Sequence, residues 1–221
     1  MPTILIINDY YLPGYRGGGP IRTIANTIDW LGDSFDFRVL TSDRDFQATS
    51  PYTDLKPGTW QSVGGAQVRY LTPSERGLQS LGRIIADVQP DLLYINSFFS
   101  SLCVKVMWAR YLRLAPRLPV LLAPRDELNP ARLALKRFKK AVYLRVVKAF
   151  GVYNGVTWQA TNPSEAAAIR AQFPAAQLLA ARNAPPRTLP QIDASRIKTS
   201  PLQVVFLSRV ARSKNLSDAL R

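Results

Sequence analysis

The first apolar stretch, Thr3-Ile-Leu-Ile-Ile-Asn8, is short, continuous and rich in β-branched residues. A run without polar alternation predicts a strand covered on both faces, as in a parallel sheet. A triple glycine at 17–19 follows, and Ile21, Ile24, Ile28 and Leu31 then recur at helical spacing. The opening therefore reads strand, glycine loop, helix. Phe37–Thr41 and Gln67–Leu71 predict two more strands. The 25 residues between them hold Pro51, Pro57, Gly58, Gly64 and Gly65, too long a stretch for a plain loop, so a small hairpin or flap is expected there.

Beyond Pro73 the units repeat: helix 75–88, strand 92–95, helix 102–114, strand 120–123, helix 131–150, strand 156–160, helix 162–173 and strand 177–181. The helix at 162 opens with the cap-like Asn162-Pro-Ser-Glu165. Strands alternating with helices predict an α/β fold with a doubly wound, mostly parallel sheet over residues 1–186. Pro185, Pro186 and Pro190 mark a linker, placed at 187–200. Residues 201–221 then read as the first strand, Val204–Leu207, and the helix start of a second domain. One strand and a helix stub cannot bury a core, so the sequence is expected to stop just inside that domain.

Composition narrows the class. Of 221 residues, 47% are hydrophobic, enough for one good core. The longest apolar runs, such as Ile4–Ile7, fall far short of the roughly 20 residues a membrane-spanning helix needs. Met-Pro-Thr enters a strand directly, without the zones of a secretory signal, so a cytoplasmic location is expected. The one cysteine, Cys103, lies among apolar residues and reads as a small core hydrophobe in a reducing compartment.

Lys and Arg number 29 against 15 acids, a formal charge of +14, so long-range attraction to anions follows. Nucleic acid, an anionic membrane face or a phosphate-bearing small molecule would each respond to that field. No nucleic-acid partner is expected. The cations lack interleaved aromatics, and no helix-turn-helix, zinc-finger or RNA-recognition signature is present. The sequence has no histidine, which removes the commonest general base and zinc ligand; no metal site is expected.

The glycine loop is the first candidate for chemistry. Between a buried strand and a helix, glycines let backbone approach a ligand and leave N–H groups and a helix N-terminus facing an anion. The loop is neither G-x-G-x-x-G nor a Walker A sequence, which weakens dinucleotide and P-loop readings. A flexible turn is the plain alternative.

Five blocks carry a family resemblance: Pro13-Gly-Tyr-Arg-Gly-Gly-Gly-Pro-Ile-Arg22, Asp91-Leu-Leu-Tyr-Ile-Asn-Ser-Phe-Phe99, Ala123-Pro-Arg-Asp-Glu-Leu-Asn-Pro130, Leu135-Lys-Arg-Phe-Lys-Lys140 and Leu207-Ser-Arg-Val-Ala-Arg-Ser-Lys-Asn215. In this order they resemble family 4 glycosyltransferases of bacterial polysaccharide synthesis. The resemblance implies a GT-B architecture of two Rossmann-like domains, the first binding acceptor and the second a nucleotide sugar. It implies retaining transfer of a sugar from a UDP- or GDP-activated donor to a polysaccharide or lipid-linked acceptor, with no further cofactor. Gly17, Gly18 and Gly19 would reach into the cleft. Arg209 and Lys214 match the pair that clamps the donor diphosphate. Arg22, Asn96, Arg125, Asp126 and Glu127 become acceptor-side candidates.

The chain also departs from that family. Asn96 stands where many members have a cleft histidine, and it cannot take a proton. Asp126 stands where relatives often have glycine. A pair of glutamates seven residues apart, carried far into the family's second domain, is not in these residues. No catalytic base is named, and the 221-residue chain alone is expected to bind better than it catalyses. A noncatalytic sugar- or nucleotide-binding Rossmann domain is the main alternative, and a basic nucleic-acid binder the lesser one. For Asp126 and Glu127, helix-entry charge stays as open as acceptor binding.

Between Ala131 and Phe150 lie seven cations, at 132, 136, 137, 139, 140, 145 and 148, and no acid. Leu135, Phe138, Val142 and Val146 form an apolar stripe at helical spacing, expected to pack on the sheet. The charged face suits docking to an anionic cytoplasmic leaflet, as a peripheral membrane protein.

Overall fold

The computed structural model describes residues 1–188. Most of the expected linker, the expected second-domain strand, Arg209 and Lys214 lie outside the described residues. Met1–Arg187 form one compact unit. Its chain order is β1 (Thr3–Ile7), α1 (Gly19–Leu31), β2 (Asp36–Ser42), β3 (Trp60–Val63), β4 (Ala66–Leu71), a 3-10 turn (Pro73–Arg76), α2 (Leu78–Val88), β5 (Leu92–Asn96), α3 (Ser101–Tyr111), β6 (Val120–Ala123), α4 (Pro130–Ala134), α5 (Arg137–Ala149), β7 (Thr157–Ala160), α6 (Pro163–Gln172) and β8 (Gln177–Ala180).

The strands form one sheet in the order β3-β4-β2-β1-β5-β6-β7-β8. Every neighbouring pair is parallel except β3 with β4. The hairpin expected before residue 67 is therefore real. Gly64 (φ 56°) and Gly65 (φ 78°) supply the two positive φ values a tight hairpin turn needs. Without that antiparallel edge, the parallel strands follow the doubly wound Rossmann order, reversing direction of travel between β1 and β5.

Two cores explain why β1 lacks polar alternation. Leu5 and Ile7 face α2 and α3 with Leu81, Ile85, Leu93, Val106 and Met107. Ile6 points the opposite way, into a cluster with Val39, Val68 and Tyr70 covered by Ile21, Ile24 and Ile28 of α1. Each fully buried Ile or Leu contributes about 1.5–3 kcal/mol. Cys103 is buried in the first cluster, as expected. After β8 the chain crosses to α1: Asn26 Nδ2 donates to Ala184 O, Trp30 Nε1 to Pro185 O and Arg187 to Asp29 O.

The helix expected at 131–150 is two helices. Asn129 caps α4 with its side chain, Leu135 is extended, and Lys136 takes a left-handed conformation (φ 56°, ψ 39°) before α5 begins. The stripe expected against the sheet is also turned the other way. Phe138, Val142 and Val146 are exposed, and α5 packs through Leu144 and Val147 instead. Both faces of α5 carry apolar residues at helical spacing, so spacing alone does not choose between them. Lys139 and Arg145 border the Phe138–Val146 face, and burying that face would strip water from two charges. Among the described residues no helix is long and apolar enough to cross a membrane.

Candidate functional site

The carboxyl ends of the parallel strands gather the chemistry, as usual in open α/β sheets. At β1, Asp9 accepts from the backbone N–H groups of Ser101 (3.2 Å) and Leu102 (2.9 Å). Its carboxylate thus already occupies the N-terminus of α3, a position where an anionic ligand would otherwise sit.

The glycine loop lies beside it and is held by a second carboxylate. Asp45, just past β2, accepts from Tyr15 N (3.0 Å), Arg16 N (3.1 Å) and Phe46 N (2.7 Å). Burial alone would push this carboxyl up, but the N–H groups of Arg16, Tyr15, Phe46 and Gly17 together hold it below the usual carboxylate value. The three glycines differ in purpose. A Cβ on Gly17 would come within 2.9 Å of both Ile21 and Tyr10, so this glycine permits close packing. Gly18 (φ 82°, ψ −149°) occupies a region essentially closed to other residues. Gly19 faces open space, with no atom within 4 Å of where a Cβ would stand. Helix α1 has neither a side-chain cap nor an acid in its first turn, so its positive end is left uncompensated on that open side. Arg22 is exposed on the same first turn.

Further along the sheet, Arg125 is pinned from three directions. It donates to Tyr94 Oη (3.0 Å), Asn96 Oδ1 and Asn183 Oδ1, and Tyr94 Oη donates to Gln159 Oε1 at 2.6 Å. Asn96 is buried and accepts from the guanidinium through its Oδ1. Arg125 Nε is buried without a protein partner among the described residues.

Arg125 and Asp126 are both left-handed, with φ 56° and 60°. Asp126 is exposed, and its N–H donates to Glu165 Oε1 at 2.8 Å. Glu127 turns away from it and accepts from Phe98 N (2.6 Å), Phe99 N (3.0 Å) and Ser97 Oγ. Burial pushes its carboxyl above the ordinary glutamate value, against the pull of these donors and of Lys140. It fastens the β5–α3 loop, and the helix-entry role belongs to Asn129.

The structure thus brings Asn96 to Arg125 but sends Arg125 and Glu127 in different directions. Sequence reasoning missed Asp9, Asp45, Tyr94 and Asn183. A positional signal existed for two of them: Asp9 stands two residues past the end of β1, and Asp45 closes the polar run after β2. Asp43, near the place where a dinucleotide-binding sheet keeps an acid for a ribose hydroxyl, is paired with Arg44 and Arg76 at 2.8 Å each. The recess between Asp9, Ser42, Arg76, Ser101 and Lys105 measures about 30 Å³, room for a water rather than a nucleotide.

No family model matches the chain, and no curated protein matches it. Two solved structures share part of its path. One is dTDP-glucose 4,6-dehydratase from Bacillus anthracis str. Ames in complex with NAD, at 9% identity and TM-score 0.39, covering 72% of this chain and 54% of that one. The other is the SurE protein from Aquifex aeolicus, at 17% identity and TM-score 0.33, covering 70% of this chain and 62% of that one. The chain therefore spans little more than half the length of either. Its own strand order, with the reversal between β1 and β5, establishes a Rossmann-like α/β domain.

Proposed function

We propose that the described residues are the acceptor-side domain of a retaining, nucleotide-sugar-dependent glycosyltransferase. The reaction moves a sugar from a UDP- or GDP-sugar to a hydroxyl of a polysaccharide or lipid-linked acceptor. The observation that carries this reading is the position of the glycine loop, which stands at the strand-order reversal with Gly19 open and the end of α1 uncapped. A helix N-terminus there favours a phosphate by about 0.3–1 kcal/mol at an exposed site. The ordered blocks that resemble family 4 supply the reaction class.

In this reading Gly19 and the first turn of α1 face donor phosphate, and Arg209 and Lys214, which lie outside the described residues, are the residues that match the family's diphosphate clamp. Their charge offsets what develops on the leaving group, so the reading requires no metal. Arg125, held at the carboxyl end of β6 by Tyr94, Asn96 and Asn183, is the acceptor-side cation in this reading. Asp9, Asp45, Glu127 and Glu165 all accept from backbone N–H groups, so none stands ready as a base. Deprotonation then falls to the leaving phosphate in a front-face attack. The same observation favours a second reading, a domain that binds a nucleotide or sugar without transfer.

Titration of the 221-residue chain with UDP- and GDP-sugars, with and without saccharide acceptors, separates them. Binding weakened by Gly19→Ala, with nucleoside diphosphate released when acceptor is added, supports transfer. Because the 221-residue chain alone is expected to bind better than it catalyses, release is read on the same chain extended by the expected second domain, and binding without release there supports the second reading. Absence of binding to every nucleotide sugar sinks both.

A further inference from the structure

Helix α5 has two apolar faces, and only one has a partner. Leu144 and Val147 are buried, whereas Phe138 is 80% exposed and Val142 and Val146 look outward with it. The strip continues past the helix. Phe150 lies 6.3 Å, centroid to centroid, from both Trp108 and Tyr111, and Tyr111, Leu112 and Leu114 at the end of α3 are exposed as well. Single apolar residues are ordinary on a protein surface, but a contiguous row marks an interaction face.

Charge identifies what covers it. From Leu92 to Ser164 the sequence holds cations at 105, 110, 113, 117, 125, 132, 136, 137, 139, 140, 145 and 148, against two acids, Asp126 and Glu127. Glu127 is turned inward. Arg132, Lys136, Arg137, Lys139 and Arg145 enter none of the ion pairs among the described residues. A second copy meeting this face about a two-fold axis would set these cations against themselves. An anionic bilayer satisfies both features, taking the apolar strip into the headgroup boundary and placing headgroups against the cations.

At the end of the strip, Arg110, Arg113 and Arg117 line a cavity of about 580 Å³ with Asn154, and no acid is among its walls. Arg110 Nε has no protein partner among the described residues. Burial, and then the charge of Arg117, lower the proton affinity of its guanidinium, a tension that a bound phosphate would relieve.

We propose that the outward face of α5 and the end of α3 dock on an anionic phospholipid surface, with the Arg110–Arg113–Arg117 cavity receiving a headgroup phosphate. The test is co-sedimentation of the 221-residue chain with phosphatidylcholine vesicles, with and without added phosphatidylglycerol, at low and high salt. The chain should pellet with the anionic vesicles at low salt only. Removing the strip in the double variant Phe138→Ser, Val142→Ser should weaken this roughly tenfold or more. Arg113→Ala with Arg117→Ala should weaken binding to anionic vesicles as well. These side chains are surface groups, and an unchanged melting temperature confirms that each variant is folded. Equal binding to neutral vesicles, no binding to anionic ones, or indifference to the strip variant overturns the proposal. So does a monomer–dimer equilibrium abolished by Phe138→Ser, which would assign the face to a second copy. Inorganic phosphate that binds the arginine cavity while vesicles do not would assign the cavity to a free anion.

Discussion

Gly82 shows how one close approach can outweigh a local preference. Inside a helix, alanine is ordinarily better than glycine by about 1 kcal/mol. A Cβ on Gly82, however, would overlap the backbone carbonyl of Leu114, where α2 meets the end of α3. Gly82→Ala is therefore expected to destabilise the protein by about 1–3 kcal/mol, measured by urea unfolding. Asp45 gives a prediction with a pH signature. Its folded carboxyl lies below the ordinary value, so its stabilisation is present above about pH 4 and is lost as pH falls through the folded value. Thermal melts of Asp45→Asn should trail the unsubstituted protein at neutral pH, and the gap should close on acidification. A gap independent of pH would show that the carboxylate's charge is not what holds the loop. At this scale the sequence was legible where composition itself is the signal, as in three adjacent glycines. It was silent on Asp45, because that carboxylate meets N–H groups thirty residues earlier in the chain and no local pattern records the pairing.

At the scale of elements, parallel strands betray themselves as unbroken apolar runs, and the seven strands expected within the described residues are present. The α4–α5 break escaped the same reasoning. The apolar and basic positions from 131 to 150 keep helical spacing through Leu135 and Lys136, and neither residue is a helix breaker. What interrupts the helix is a left-handed Lys136, a conformation costing a residue with a Cβ roughly 1–2 kcal/mol. Lys136→Gly should thus raise stability by about 0.5–1 kcal/mol, although glycine in a continuous helix would lower it by a similar amount. The sign of the shift in urea midpoint decides between one helix and two.

At the scale of the molecule, one sheet shared by two cores predicts cooperative unfolding. A chain ended after Arg187 is expected to melt in a single transition, followed by circular dichroism in the far and near ultraviolet. Two separated transitions would show that the two sides of the sheet are not one unit. The strand order has an electrical consequence too. Residues 1–91 build the β3-β4-β2-β1 half and carry eight cations and ten acids, whereas residues 92–164 build β5, β6 and β7 and carry twelve and two. The reversal between β1 and β5 therefore separates a nearly neutral part from a strongly positive one, giving residues 1–164 a dipole along their own sheet. An anionic surface exerts torque on such a dipole before any atoms touch, out to a screening length of about 10 Å at 0.1 M salt. Encounters are then oriented on approach, and added salt slows association by randomising the angle of arrival.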